Sequence, residues 1–154
     1  VTVVDRLFSI VQPTRAYFGI KDYQQVAVIS QMSSQLHPDI EISICQTKRE
    51  HDGVAMSSRN MLLTQTARLS AALFPEALRA AITLWRNGTT ESKALIDSAY
   101  AVLALDPAID VQYISIVRSG TMDQVNIAYE HDVIIAAVVI DGIRLIDNMQ
   151  FSTV

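Results

Sequence analysis

Half of the 154 residues are hydrophobic, 18% are charged and the net charge is −4, a composition that suits a water-soluble protein with a proper core. No apolar run approaches the roughly 20 residues of a membrane span, and the scattered acids and bases leave no basic footprint for nucleic acid. A single cysteine, Cys45, excludes an internal disulfide and a multi-cysteine metal site.

The chain opens on an amphipathic pattern, with Val3, Val4, Leu7, Phe8 and Val11 at helical spacing. A helix over residues 2–11 is expected, ended by Pro13. A chain that begins in this way, without Met or a signal pattern, reads as a fragment. Residues 15–18 form a short strand closing on Gly19. Asp22 is then placed to cap a helix reaching Leu36, with Val26, Ile29, Met32 and Leu36 facing a core. His37-Pro38-Asp39 turns the chain into a strand over residues 40–45, in which Cys45 reads as a small buried hydrophobe. This β-α-β order implies parallel strands, and ligands of such sheets bind beyond the strands' carboxyl ends.

The composition changes after Leu63. A long helix is expected from the cap Thr64 to Trp85, interrupted or kinked near Pro75 and stopped by Asn87-Gly88. A second begins at Thr90 or Ser92 and runs to about Leu105. Strands follow at residues 109–117, 133–140 and 144–146, the last two joined by the hairpin signal Asp141-Gly142. The fold class is therefore α/β, with residues 1–61 as one domain and residues 62–154 as a small α+β domain of two helices on a short antiparallel sheet.

Two segments carry candidate chemistry. Gly19-Ile20-Lys21-Asp22 joins a strand end to a helix start, where free N–H groups and a positive dipole end suit phosphate, Lys21 adds charge and Asp22 can accept from ribose hydroxyls. On spacing alone the segment reads more readily as a surface turn, with Asp22 as a simple cap and Lys21 solvated. Gln24 and Gln25 follow, able to hydrogen-bond a hydroxy acid or simply to be exposed. In Asp52-Gly53-Val54-Ala55-Met56-Ser57-Ser58-Arg59-Asn60, two hydroxyls and an Arg follow a flexible Gly-containing stretch, a pattern that can wrap phosphate oxygens. The alternative is a domain linker with Ser58 or Asn60 capping a turn. His37, His51 and His131 show neither metal-ligand spacing nor a nucleophile partner, so no metal site is expected in the chain.

Phe18-Gly19-Ile20-Lys21-Asp22-Tyr23-Gln24-Gln25 resembles the F-G-E-K-D-F/Y-Q-Q signature of pantothenate synthetases, the pantoate–β-alanine ligases. The Asp52 to Asn60 segment is similar to their D-G-L-A-M/L-S-S-R-N, and Arg144-Leu145-Ile146-Asp147-Asn148 to their carboxy-terminal R-L-I/L-D-N. Val3 to Val11 with Gln12-Pro13 also looks like the stretch before the first motif. The family belongs to the nucleotidylyltransferase superfamily, in which the S-S-R segment stands where related synthetases carry K-M-S-K-S.

The resemblance implies the tail of a Rossmann-like ATP- and pantoate-binding domain followed by the small α+β domain. It implies a cytoplasmic ligase, homodimeric as the full-length protein, that uses ATP with Mg²⁺ to join pantoate to β-alanine through pantoyl adenylate. Gly19, Ile20, Lys21, Asp22, Lys48, Met56, Ser57, Ser58 and Arg59 would bind ATP, the backbone of Lys48 meeting the adenine. Lys21, Ser57, Ser58 and Arg59 would serve catalysis, and Gln25 would bind pantoate. Ile20 stands where the family has Glu, which leaves only backbone contacts there. Gln46 and Lys48 replace a Pro and an apolar residue. The family's H-x-G-H segment does not occur in these 154 residues, so this chain alone is expected to be inactive. The competing expectations are a non-catalytic nucleotide-binding or oligomerisation module, and another adenylate-forming ligase of the same superfamily.

Overall fold

Apolar residues at helical spacing build α1 (Thr2–Val11), the first element of a computed structural model that describes residues 1–153. Gln12 ends the helix in the left-handed region at φ 49°, its N–H donating to the Phe8 carbonyl. β1 (Arg15–Gly19), a 3₁₀ turn (Ile20–Asp22), α2 (Tyr23–Leu36) and β2 (Glu41–Cys45) follow. The two strands pair in parallel, from Arg15 opposite Glu41 to Gly19 opposite Cys45. Phe8, Ile29 and Met32 form the core between helices and strands, with Phe18, Ile40 and Ile42 packed against it. His37 closes the far end of α2 onto α1, its Nε2 2.7 Å from Asp5 Oδ1 and its ring edge-on to Phe8.

Three expectations fail in this unit, which covers Val1–Thr47. Leu36, the last residue of α2, is exposed and does not face the core. Asp22 makes no side-chain capping bond, because the 3₁₀ turn brings it to the helix start at φ −89° and ψ 59°, outside the extended geometry that a capping side chain needs. Cys45 is exposed rather than buried. It is the last residue of a strand in a two-stranded sheet whose helices supply one covering layer, so the apolar run around it does not ensure burial.

The second unit begins at Lys48. Its 48–62 stretch is tied by ion pairs to Arg68 and Asp147. A short 3₁₀ turn (Ser58–Leu62) leads to α3 (Gln65–Arg86), where the Thr64 hydroxyl accepts from the Ala67 N–H at 3.2 Å as the expected cap. The helix runs through Pro75 without interruption, and α4 (Ser92–Leu103) follows. Its start lacks a capping side chain, since Glu91 occupies the cap position.

β3 (Ile109–Val117), β4 (Val133–Ile140) and β5 (Ile143–Gln150) form an antiparallel sheet in chain order. Asp141 and Gly142 turn β4 into β5 with φ of 52° and 74°, the signs of a type I′ hairpin. β5 is longer than the expected 144–146 and pairs along its whole length with β4. α3 and α4 cover one face of the sheet, burying Phe74, Leu78, Leu95, Leu103, Ile134 and Val138 among others. No helix of the described residues is long and apolar enough to cross a membrane.

On that covered face stands one charged residue. Strand alternation sends Asp147 inward beside Leu145, and its side chain is only 1% exposed. Arg49 meets it with two bonds, Nη1 to Oδ2 at 2.7 Å and Nη2 to Oδ1 at 3.1 Å. The same guanidinium donates to the Gly53 carbonyl at 3.0 Å, so the turn after Arg49 is fastened to the sheet. A buried pair of this kind is costly to break and cheap to replace by apolar residues. Arg49→Ala should therefore cost about 3–5 kcal/mol, and Arg49→Met with Asp147→Leu should recover most of it. Urea unfolding of the chain followed by Trp85, the sole tryptophan, checks both; an Arg49→Ala protein as stable as the parent would contradict the assignment.

Candidate active site

The first candidate lies at the carboxyl end of β1. Gly19 is extended, at φ −75° and ψ 127°, so no backbone strain demands a glycine there. A Cβ built on it would meet nothing within 4 Å, which leaves open space where a ligand can approach the main chain. Ile20 and Lys21 are partly exposed and Asp22 is exposed. The start of α2 has no acidic side chain in its first turn, but Asp22 stands at its N-cap position and sets a negative charge against the positive end of the dipole. Gln24 and Gln25 are both exposed on that turn. The β1–α2 junction thus brings Gly19, Ile20, Lys21, Asp22 and Gln25 together.

The second candidate is built from residues 48–60 and belongs to the second unit. Lys48 and Met56 face each other across a short antiparallel bridge, the Met56 N–H donating to the Lys48 carbonyl at 2.9 Å, with Arg49 paired to Ala55. Between them the Glu50 N–H donates to Val54 and the Gly53 N–H to Glu50. Gly53 sits at φ 85°, a region that disfavours any side chain. The stretch expected to be flexible is thus a hydrogen-bonded turn. Its cap also differs from expectation: Ser57, not Ser58 or Asn60, takes that part, accepting from the Arg59 N–H at 3.2 Å.

Charge is distributed unevenly over this turn. Arg68 on α3 binds Asp52 through Nε at 2.6 Å and Nη2 at 2.9 Å, and reaches Glu50 at 2.6 Å. Arg49 is taken by Asp147. The guanidinium of Arg59 makes no ion pair among the described residues and is exposed beside Ser58. An open depression of about 630 Å³ is lined by Glu50, Met56, Ser57, Ser58, Asn60 and Arg68 among others. The two serine hydroxyls and the backbone N–H groups at such a depression suit an anionic ligand with several oxygens, while Arg59 stands outside its lining residues. Among the described residues no three His, Cys, Asp or Glu side chains are grouped to hold a metal ion.

The residues that the sequence reading passed over are the supports: Arg49, Glu50, Arg68 and Asp147. A signal existed for Asp147, an acid at an inward position of a strand, since a buried carboxylate calls for a cation. The expected strand stopped one residue short of it.

The two acids of the turn have depressed pKa values. The Asn60 amide, followed by Arg68, holds Glu50 below the usual carboxylate range. Burial pushes Asp52 up, but the bonds from Arg68 and the Val54 N–H outweigh it and leave Asp52 low. A depressed folded pKa stabilises the fold fully above the unfolded value and loses that contribution as pH falls through the folded one. Stability should therefore drop below about pH 4.5. The double variant Glu50→Gln with Asp52→Asn should be less stable at pH 7 and decline less steeply in acid, as read by Trp85 fluorescence; an unchanged acid slope would contradict the pairing.

Comparison with known proteins matches residues 1–150 to the family described as pantoate-beta-alanine ligase. A pantothenate synthetase of Herpetosiphon aurantiacus is 41% identical over 149 residues, which cover 96% of this chain and 54% of that protein. The crystal structure of pantothenate synthetase from Thermus thermophilus superposes with a TM-score of 0.92 at 35% identity, over 97% of this chain and 54% of that one. A pantoate-beta-alanine ligase from Francisella tularensis, complexed with beta-gamma ATP and beta-alanine, has a TM-score of 0.68 at 29% identity, over 97% and 48%. The chain spans about half the length of the relatives it matches.

Proposed function

Since the chain belongs to the pantoate–β-alanine ligase family, we propose that it forms the carboxy-terminal part of an enzyme that joins pantoate to β-alanine at the expense of ATP. Residues 1–61 supply the tail of a Rossmann-like ATP- and pantoate-binding domain, and residues 62–154 the small α+β domain. The observation that carries the reading is Arg59, exposed and without a carboxylate partner among the described residues, on a turn whose other arginine, Arg49, is paired with Asp147. The Francisella protein's complex with beta-gamma ATP and beta-alanine supports the choice of substrates.

The chemistry has two steps. The pantoate carboxylate attacks the α-phosphorus of ATP, an oxygen–phosphorus bond forms, and pyrophosphate leaves to give pantoyl adenylate. The β-alanine amine then attacks the acyl carbon, loses a proton and expels AMP, leaving pantothenate. Neither step needs a protein nucleophile, so the residues act by positioning and by stabilising charge. Lys21 lies against phosphate and Asp22 against ribose, while Gly19 and Ile20 contribute backbone. The Lys48 main chain meets the adenine; its carbonyl already accepts from Met56 and keeps a second lone pair. Met56, Ser57, Ser58 and Arg59 close over the phosphates, where Arg59 offsets charge developing on the leaving pyrophosphate. Gln25 hydrogen-bonds pantoate.

Mg²⁺ bound to ATP would neutralise phosphate charge, and no residue of this chain is assigned to hold it, since no grouped ligand set is present among the described residues. The H-x-G-H segment lies outside this sequence, and the 154 residues alone do not turn over. The full-length enzyme is a cytoplasmic homodimer. In the full-length gene product, AMP should appear only when pantoate, β-alanine and ATP are all present. Lys21→Ala and Arg59→Ala should each slow adenylation by about tenfold or more; normal turnover in both variants would overturn these roles.

A further inference from the structure

Residues 56–59 depart from the buried chain at Ala55 and rejoin it at Asn60, 4% and 8% exposed respectively. The Asn60 carboxamide spans that interval. Its Nδ2 donates to the Ala55 carbonyl at 3.1 Å and to Glu50 Oε1 at 2.6 Å. The Asn60 main-chain N–H donates to the Ser57 carbonyl at 3.0 Å. One residue therefore ties both ends of the exposed segment together and fastens it to Glu50. Glu50 is held in turn by Arg68, and Arg68 by Asp52.

The oxygen of the same amide makes the point sharper. Asn60 Oδ1 is buried and has no hydrogen-bond partner among the described residues, an uncommon state for a buried acceptor. Turning the amide over would set that oxygen against the Glu50 carboxylate, acceptor against acceptor. The amide is oriented by what its two protons hold, at the expense of its own oxygen.

We propose that Asn60 is a positioning residue for the ligase reaction. It sets the path of residues 55–60, and thereby where Ser57, Ser58 and Arg59 place their donors, while Glu50 and Arg68 hold Asn60 in turn. It acts through the backbone, not on substrate. The proposal rests on the reading of this turn as part of an ATP site. Its force comes from the sensitivity of phosphoryl chemistry to placement, where an error of about 1 Å can cost about a hundredfold in rate.

Asn60→Asp tests it with almost no change of shape, since a carboxylate has no protons to donate and meets Glu50 with like charge. In the full-length gene product, Asn60→Asp should lower kcat for pantoate adenylation by at least about tenfold and raise the KM for ATP, with the KM for β-alanine unchanged. Adding Glu50→Gln to Asn60→Asp restores a donor facing an acceptor and should recover part of the loss. Glu50→Gln alone keeps an acceptor for Asn60 and should cost a smaller factor, so it carries the test if Asn60→Asp fails to fold. Lowered melting temperatures with parental kinetics below them would show a merely structural role and overturn the proposal. A wild-type protein that forms no adenylate would overturn the ATP-site reading and the positioning role with it. An active wild type with unaltered variants overturns the positioning role alone.

Discussion

A carboxylate cannot stay charged inside a packed sheet unless a cation and further donors come to it. Asp147 is such a carboxylate, and the residue that answers it, Arg49, stands near the head of the turn that carries Ser57, Ser58 and Arg59. The demand of a buried charge in β5 thus fixes a segment almost a hundred residues earlier in sequence. Arg49 also takes the Gly53 carbonyl, and beyond that point the turn is organised by its own hydrogen bonds and by Arg68. Arg49 and Arg68 are consumed by structure in this region, whereas Arg59 and Arg79, the latter beside Gly53, make no ion pair among the described residues.

This division of labour explains the density of charge between Lys48 and Arg59. Glu50 and Asp52 bind Arg68, and Glu50 also takes the Asn60 amide. Preorganised donors do more for a transition state than mobile ones, because no reorganisation is needed as charge develops. In the first unit the means are different. There the parallel pairing of β1 and β2 ends both strands level, Gly19 opposite Cys45, and the start of α2 follows at once with its N–H groups and Gln25.

Periodicity made the regular elements legible. α1, β3 and β4 fall where apolar spacing puts them, and Thr64 and Asp141-Gly142 mark their boundaries by side-chain and turn chemistry. β5 was read short because Asp147 and Asn148 break its apolar run, although their burial is what gives the strand its role. Cys45 was misread because an apolar neighbourhood in sequence says nothing about whether a second layer covers the strand. For the candidate site, the motifs announced which residues to examine, but not the wiring beneath them. Asn60, Glu50 and Arg68 meet through tertiary contacts that no local pattern encodes, and the cap at Ser57 rather than Ser58 depends on a one-residue difference in where the 3₁₀ turn begins.

The dependence of the turn on the buried pair can be measured amide by amide. Hydrogen–deuterium exchange of the chain carrying Asp147→Asn should show faster exchange at Met56 and Asn60, whose N–H groups bond Lys48 and Ser57, by more than about tenfold. The amides of β4 and α4 should keep their protection. Unchanged exchange at Met56 and Asn60 in that variant would show that the turn holds itself without the sheet, and would contradict the central place of the Arg49–Asp147 pair.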